Sequence, residues 1–420
     1  MTLWRHELRL LLRQRLSVLA LALLALLTIA ALGMGMAEVA RQRAAIAAIP
    51  PAQAEDIGAV ADYVVRTRDA GSAAYYSFHA TWDAPAPLAF AALGMRDVAP
   101  YILRVRALGL EAQIYDGDTF NPEVALPGRF DFAFVLVFLA PLFVIALFHD
   151  LASGEREAGR QRMLDALPRG GAALWRRRTG LRLILLWAAL GLPFAVAAAV
   201  EGVSVGVVLL VLGVIVAYLL FWVGLAALVG RLRWSSVANA ATLAAAWLVL
   251  VLIVPTLGNV VIDRAIPVGQ GAEIALAQRE VVNHAWDIPR EATMRRFYAT
   301  HPELADSLPL GSDFHYKWYL AFHQNGDESV APKVRAYRAA LERRDRAGRA
   351  FGWVLPSVGV QALLTRLART DLTAQLAYQD RIRAFHVRLR SFYYGYVFYD
   401  RPFGRDEFRR APRFDERAGG

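Results

Sequence analysis

Residues Leu16–Ala37 read LSVLALALLALLTIAALGMGMA and contain no charged side chain. Four further runs share this property, namely Phe132–Phe148, Leu183–Val200, Gly202–Gly230 and Val237–Ile262. An α-helix rises 1.5 Å per residue, so roughly 20 residues cross the apolar core of a bilayer, which is about 30 Å thick. Because one arginine at the centre of a span costs roughly 2.5–3.5 kcal/mol, this repeated absence of charge predicts five transmembrane helices. The expected fold class is an all-α integral membrane protein.

The segments between these runs differ in charge. Residues 1–15 carry four arginines and one glutamate, and residues 149–182 carry eight arginines and four acids. The turn after the fourth run has Arg231 and Arg233 and no acid. Short arginine-rich loops stay in the cytoplasm, so these three segments are predicted to share the cytoplasmic side of the plasma (inner) membrane.

The two long segments are then predicted to lie on the opposite side. Residues 38–131 hold eight basic and twelve acidic side chains, which is typical of an extracytoplasmic loop domain. Residues 263–420 carry a basic excess, but long domains cross the membrane largely regardless of charge, so an extracytoplasmic helical domain is expected there. An alternative for residues 1–37 is a cleaved signal peptide, which also leaves the N-terminus in the cytoplasm.

The composition excludes several classes of site. The sequence of 420 residues has 47 basic and 37 acidic side chains, a formal charge of +10 and no cysteine. Disulfides, thiolate metal sites and cysteine nucleophiles are therefore excluded. Nucleic-acid binding is not expected, because no basic groove is interleaved with aromatic residues. We also expect no resident cofactor, metal or catalytic site.

The N-terminal segment, residues 1–15, is predicted to form an amphipathic helix. Arg5, Arg9 and Arg13 recur every four residues on one helix face, and Trp4 belongs to an apolar face. A basic helix with an aromatic anchor lies in the membrane interface, here on the cytoplasmic side. The alternative is that this helix simply extends the first span into the cytosol.

The outer segments are predicted to be helical. Gly271–Asn283 and Pro289–Ala299 are helix candidates, and no segment has the sustained alternation of a strand. Thr370 or Asp371 is placed to cap a later, longer helix. Its apolar residues recur at intervals of four and three: Tyr378, Ile382, Phe385, Leu389, Phe392 and Tyr396. This seam favours an antiparallel helical bundle outside the membrane.

One apolar stretch, residues 351–364, is ambiguous. It contains Pro356 and Gln361 and is too short to span a bilayer. We interpret it as part of the core of the outer bundle. The alternative is a segment that dips into the outer leaflet.

The most distinctive local sequence is DLASGEREAGRQRMLDALPRG at residues 150–170. Its mixed charges suit a docking surface, and Pro168 ends the helix that precedes it. The segment resembles the first cytoplasmic loop of type-2 ABC transporter permeases, where Glu-Arg-Glu precedes a glycine, an apolar helix and a proline. In that family the loop is a coupling helix that docks onto an ATP-binding subunit. The residues predicted to couple to a partner here are Glu155, Arg156, Glu157, Arg162, Met163, Leu164 and Leu167.

The resemblance covers most of the chain, although its motifs are short. The N-terminal helix, the outer hairpin at Glu201 and the large outer insertions resemble a branch of these permeases with a C-terminal domain of unknown function. Residues 88–100 and 130–134 also resemble that branch. The family has six spans, whereas five apolar runs are present here. Either the chain ends before a sixth span or it works with five.

The resemblance implies the membrane subunit of an ATP-driven transporter, an exporter. Two such permeases, identical or different, would pair with two ATP-binding subunits that carry ATP and magnesium. This chain has no P-loop of its own, because neither Lys317 nor Lys333 follows the required glycine pattern. The alternative for the loop itself is a solvated connector with no partner.

Two other functions belong to different classes. One is a membrane-anchored extracytoplasmic binding or assembly protein without transport activity. The other is a membrane enzyme that uses the densest His/Asp group, Asp313, His315, His323 and Asp327. His315 and His323 are eight residues apart and diverge by about 80° on one helix, which favours partly exposed histidines over a metal site.

Overall fold

A computed structural model describes residues 2–116, 130–166, 171–311 and 313–415, which are mostly helical. The α-helices are α1 (Thr2–Arg13), α2 (Arg15–Ala47), α3 (Ile49–Thr67), α4 (Ala70–Tyr76), α5 (Leu110–Tyr115), α6 (Phe132–Phe134), α7 (Ala140–Phe148), α8 (Ser153–Glu157), α9 (Gln161–Asp165), α10 (Ala172–Val200), α11 (Val205–Gly230), α12 (Ser236–Trp247), α13 (Val254–Ala265), α14 (Gly271–His284), α15 (Arg290–Thr300), α16 (Tyr316–Gly352), α17 (Pro356–Leu367), α18 (Leu372–Val397) and α19 (Arg405–Arg410). The remaining elements are strands β1 (His79–Trp82) and β2 (Ile102–Val105), 3₁₀-helices Ala89–Ala91, Gly94–Asp97 and Pro302–Leu304, and π-helical segments Val135–Leu139 and Leu248–Ile253.

Among the described residues, five helical runs are long and apolar enough to cross a membrane. They are Arg15–Thr67, Phe132–Glu157, Ala172–Val200, Val205–Gly230 and Ser236–Ala265, and we number the uncharged part of each span 1 to span 5 in chain order. Each overlaps one of the uncharged runs of the sequence, with the fourth helix beginning three residues into its run, so the prediction of a mostly helical protein with five such helices is confirmed. Large apolar side chains on their outer surfaces are well exposed, for example Leu26 and Val196 at 62% and 66%. Such a surface is costly in water, so the chain is a membrane-associated protein.

The spans share one apolar core with residues 88–93. The rings of Phe132 and Phe194 are stacked with centroids 5.0 Å apart, and Phe90 stacks on Phe194 at 6.4 Å. Phe90 can approach span 1 closely only because Gly35 has no side chain: a Cβ there would lie 2.0 Å from the carbonyl oxygen of Phe90. This loop segment therefore packs between spans 1 and 3 as part of the helix bundle.

Span 2 contains the first π-helical segment. A π-turn displaces backbone carbonyl groups from the usual helical ladder, and in an apolar core those groups need another donor. The Tyr218 hydroxyl donates to the Val137 carbonyl oxygen at 2.8 Å, and Trp247 Nε1 donates to the Phe138 carbonyl oxygen at 3.0 Å. These two bonds tie spans 4 and 5 to the middle of span 2.

Asp131 fixes the start of span 2. Its carboxylate accepts hydrogen bonds from the backbone N–H groups of Phe134 and Leu93, both at 2.9 Å. It thus caps the helix and holds the 88–93 loop segment at the same point. Burial raises the pKa of Asp131 to about 6.

Other helices share a second apolar core, and we call this group the outer domain after its predicted position: α3 to α5, α14 to α16, α18, α19 and the two strands. The expected helices at Gly271–Asn283 and Pro289–Ala299 are present as α14 and α15. Asp371, one of the two predicted caps, accepts from Ala374 N–H at 3.2 Å at the start of α18. The predicted apolar seam is also confirmed. Along α18, the side chains of Tyr378 and Leu389 are buried in this core.

Two short strands, which the sequence pattern does not indicate, are present among the helices. β1 and β2 pair antiparallel, with His79 opposite Val105 and Trp82 opposite Ile102. The first three residues of β1 are all buried, so a four-residue strand leaves no alternating pattern to detect in the sequence.

The interpretation of residues 351–364 as part of the outer bundle core is wrong. After α16 ends, the chain turns sharply and α17 packs against the spans, where Leu364 and Ala368 join their core. The Ser357 hydroxyl donates to the Leu250 carbonyl oxygen in the second π-helical segment at 2.9 Å. Gly352 allows the sharp turn, because its backbone lies against Gly359. The alternative, a segment that dips into the outer leaflet, stays a prediction.

Candidate functional site

The connector, residues 149–182, folds into two short helices between spans 2 and 3. α8 follows α7 after four turn residues, and α9 follows after Gly159, whose φ of +69° is a conformation that glycine adopts without strain. Leu167, one of the residues predicted to couple to a partner, lies outside the described residues, as do Pro168 and Arg169. The other six can be located.

Glu155 holds the connector to two other helices. Its carboxylate accepts from Arg160 Nε at 2.6 Å and from Arg178 Nη1 on α10 at 2.7 Å. Arg178 Nε donates to Glu7 on α1 at 3.2 Å. Since Glu7 is itself buried, one arginine joins α1, α8 and α10 at the same end of the bundle.

Arg156 and Glu157 hold the connector to the turn between spans 4 and 5. The Arg156 guanidinium donates to the carbonyl oxygens of Gly230 at 3.3 Å and Trp234 at 3.1 Å. The Glu157 carboxylate accepts from the backbone N–H of Ser236 at 2.7 Å and from its hydroxyl at 2.9 Å. The three basic segments of the sequence therefore meet at one end of the bundle.

The Glu-Arg-Glu motif consequently has partners within its own chain. These contacts fix the motif against neighbouring helices of the same chain. Its predicted contact with a second protein stays a prediction. The side chains that face outward lie further along: Arg162 is exposed, Leu164 is half-buried, and Met163 is 66% exposed. Met163 is thus an apolar side chain displayed on a charged surface, which is the usual composition of a small docking site.

The N-terminal helix is separate from span 1. α1 ends at Arg13 and α2 begins at Arg15, with Gln14 between them in an extended conformation (φ −84°, ψ 95°). The interpretation of α1 as a simple extension of span 1 is therefore wrong. Its buried face carries Glu7 and Leu11. The residues predicted for its interfacial role, Trp4, Arg5, Arg9 and Arg13, are exposed.

The outer His/Asp group has structural contacts in the described chain. His315 caps α16 by accepting from the Lys317 N–H at 3.0 Å, and its other ring nitrogen lies 2.8 Å from Asp400. His323 is half-buried, which agrees with the expectation of partial exposure. It accepts from the Gly109 N–H at 3.2 Å, and burial lowers its pKa to about 3.

The two acids of that group also contact other parts of the chain. Asp327 accepts from backbone N–H groups of α5 and from Arg390, while Asp313 is engaged through its carbonyl oxygen by Arg290. Within the described ranges, no three His, Asp or Glu side chains are grouped closely enough to hold a metal ion. These four residues all have structural contacts, and the enzyme interpretation stays a prediction.

Sequence reasoning missed Glu7 and Arg178. Both join the connector to other helices, yet they are 171 residues apart in sequence. The available signal was that Glu7 is the only acid among residues 1–15. An acid at that position on a basic helix indicates a specific partner.

The comparisons with known proteins give one match. A model of a family described as a domain of unknown function (DUF3526) matches residues 272–416, which covers most of the outer domain from α14 onward. No curated protein and no solved structure matches the chain. The match describes about a third of the sequence and assigns no activity.

Proposed function

We propose that this protein is the membrane-spanning permease subunit of an ATP-driven transporter of the ABC type, working as an exporter. It would act with a separate ATP-binding subunit that carries ATP and magnesium. The observation that carries the proposal is the connector: a short helix with an exposed apolar side chain, braced to α1, α10 and the start of span 5. The resemblance of residues 150–170 to a coupling loop points the same way.

The hydrogen bonds that attach the connector to the spans suit a segment that transmits force. A protein bound at α9 would be linked through Glu155 to span 3 and through Glu157 to span 5. Displacement of α9 would then move both spans together, whereas a loosely attached loop would absorb the movement. A partner changes the conformation of the spans only by binding one state more tightly than another. Its ATP-bound and ATP-free forms would supply that difference.

The proposal also includes an orientation. α1, the connector and the turn at residues 231–235 carry the short basic segments, so we place this end of the bundle in the cytoplasm. The outer domain would then lie outside the plasma membrane. The transport path would run between two permease subunits, identical or different. The second candidate, a membrane-anchored binding or assembly protein, shares this orientation and lacks the ATP-binding partner.

Affinity purification from the native membrane separates the two candidates. We expect the tagged full-length chain, extracted in mild detergent, to retain a subunit that contains a P-loop and hydrolyses ATP. We expect Met163→Glu to reduce retention of that subunit by about tenfold or more, because a charge replaces an apolar contact that is desolvated in the complex.

Val387→Glu is the matched control, because Val387 on the outer domain is 65% exposed, almost the same as Met163. This variant should retain the subunit normally. Recovery of the wild-type chain alone, or only with other envelope proteins, would favour the binding or assembly protein instead.

A further inference from the structure

A large groove opens beside the connector, at the end of the bundle that carries α1. Its volume is about 1010 Å³, at the upper end of the range for small-molecule sites. Its walls come from span 2, α10, the connector and the end of span 4.

The two ends of this groove differ in polarity. One end is apolar and includes Phe148, Val223 and Ala226, all of which lie in uncharged runs of the sequence. Val223 precedes Gly230 by seven residues, so the apolar wall extends about 10 Å along span 4 from its end. The groove therefore reaches into the part of the bundle that membrane lipid surrounds.

The other end is basic. Of the described residues that line the groove, four are arginine and none is acidic: Arg156, Arg162, Arg231 and Arg233. The guanidinium of Arg156 donates to carbonyl oxygens, which carry no net charge. The neighbouring Glu157 is hydrogen-bonded to Ser236. Arg231 and Arg233 are exposed and form no ion pair with any described residue.

We infer that this groove binds one anionic phospholipid from the adjacent leaflet, with its phosphate at the arginines and an acyl chain along span 4. The ligand must carry a negative charge at one end and an apolar chain at the other, because the groove has that polarity. A zwitterionic lipid also carries a phosphate, but its own cationic group offsets that charge, so it brings no net charge to the four arginines. Free phosphate satisfies only the basic end. Basic pockets between transmembrane helices on the cytoplasmic side bind anionic headgroups for this reason.

The inference does not depend on the proposed transport function, and it is tested without a partner subunit. The full-length chain is purified in detergent, incubated with phosphatidylglycerol or phosphatidylcholine of equal chain length, and analysed by native mass spectrometry. We expect a strong preference for phosphatidylglycerol. Replacing Arg231 and Arg233 together with glutamine should weaken phosphatidylglycerol binding by roughly 25-fold, because each arginine near the phosphate contributes about fivefold.

Two further variants and one competitor complete the experiment. Arg335→Gln with Arg388→Gln removes two exposed arginines of the outer domain and should leave binding unchanged. Ala227→Trp, which fills the apolar end from an exposed position, should also weaken binding. Inorganic phosphate in excess should not displace the lipid. Equal retention of both lipids, unchanged binding after loss of Arg231 and Arg233, or displacement by phosphate alone would overturn the inference.

Discussion

Replacing Asp327 with alanine is expected to lower the free energy of unfolding of the outer domain by about 3–5 kcal/mol, the usual effect of leaving a buried charge unpaired. Asp327 lies 2.7 Å from Arg390 Nη2, and only 13% and 7% of the two side chains are exposed. The same carboxylate accepts from the backbone N–H groups of Leu110 and Glu111 at 2.7 and 3.1 Å. The substitution therefore leaves the Arg390 guanidinium without its acidic partner and removes the cap of α5.

Thermal unfolding of the full-length chain in detergent, followed by tryptophan fluorescence, measures this effect, since Trp286 and Trp318 both report on the outer domain. Asp62→Ala is the matched control. Asp62 pairs with Arg405, but both side chains are more than 60% exposed, so the expected change is below about 1 kcal/mol. Equal effects of the two substitutions would show that the buried pair has no special role.

Replacing Glu155 with arginine is expected to detach the connector from α10 and to abolish retention of an ATP-binding subunit. The carboxylate accepts hydrogen bonds from Arg160 and Arg178, and each bond to a charged group is worth about 1.5–3 kcal/mol. The substitution would also place a third positive charge among these two arginines. The connector should then lose its fixed geometry, although α9 keeps its sequence.

Limited trypsin digestion distinguishes this loss of geometry from a loss of contact surface. Glu155→Arg should accelerate cleavage at Arg160, whereas Met163→Glu should leave cleavage at Arg160 unchanged and still lose the partner. Glu55→Arg, the same charge reversal at an exposed position of α3, should change neither result. A Glu155→Arg protein that retains both the normal cleavage rate and the partner would contradict the role of Glu155 as a brace.

The spans could be predicted because the membrane imposes a strong local rule. Each charged side chain in a span is costly, so uncharged runs such as Leu16–Ala37 mark the spans directly. The ends of the helices depend on helix-breaking residues and not on charge alone. α2 continues to Ala47, about ten residues past the uncharged run, because nothing between Glu38 and Ala47 breaks a helix. Hydropathy therefore locates the spans but underestimates the length of the helices that contain them.

Features that depend on distant contacts could not be predicted in this way. The π-helical segment of span 2 is accommodated because Tyr218 and Trp247 supply donors, and neither is near it in sequence. The packing of α17 on the spans depends on Ser357 finding a carbonyl oxygen 107 residues away. Glu155 was identified as important from its motif, but its contact with Arg178 depends on how α10 lies beside α8.

Cross-linking from position 163 tests whether α9 docks on an ATP-binding subunit. The sequence has no cysteine, so Met163→Cys introduces a unique thiol that can carry a photoactivatable maleimide reagent in native membranes. We expect a cross-linked product whose second chain contains a P-loop, and no such product from Val387→Cys on the outer domain. A P-loop protein captured from position 387 and not from position 163 would contradict both the docking site and the orientation.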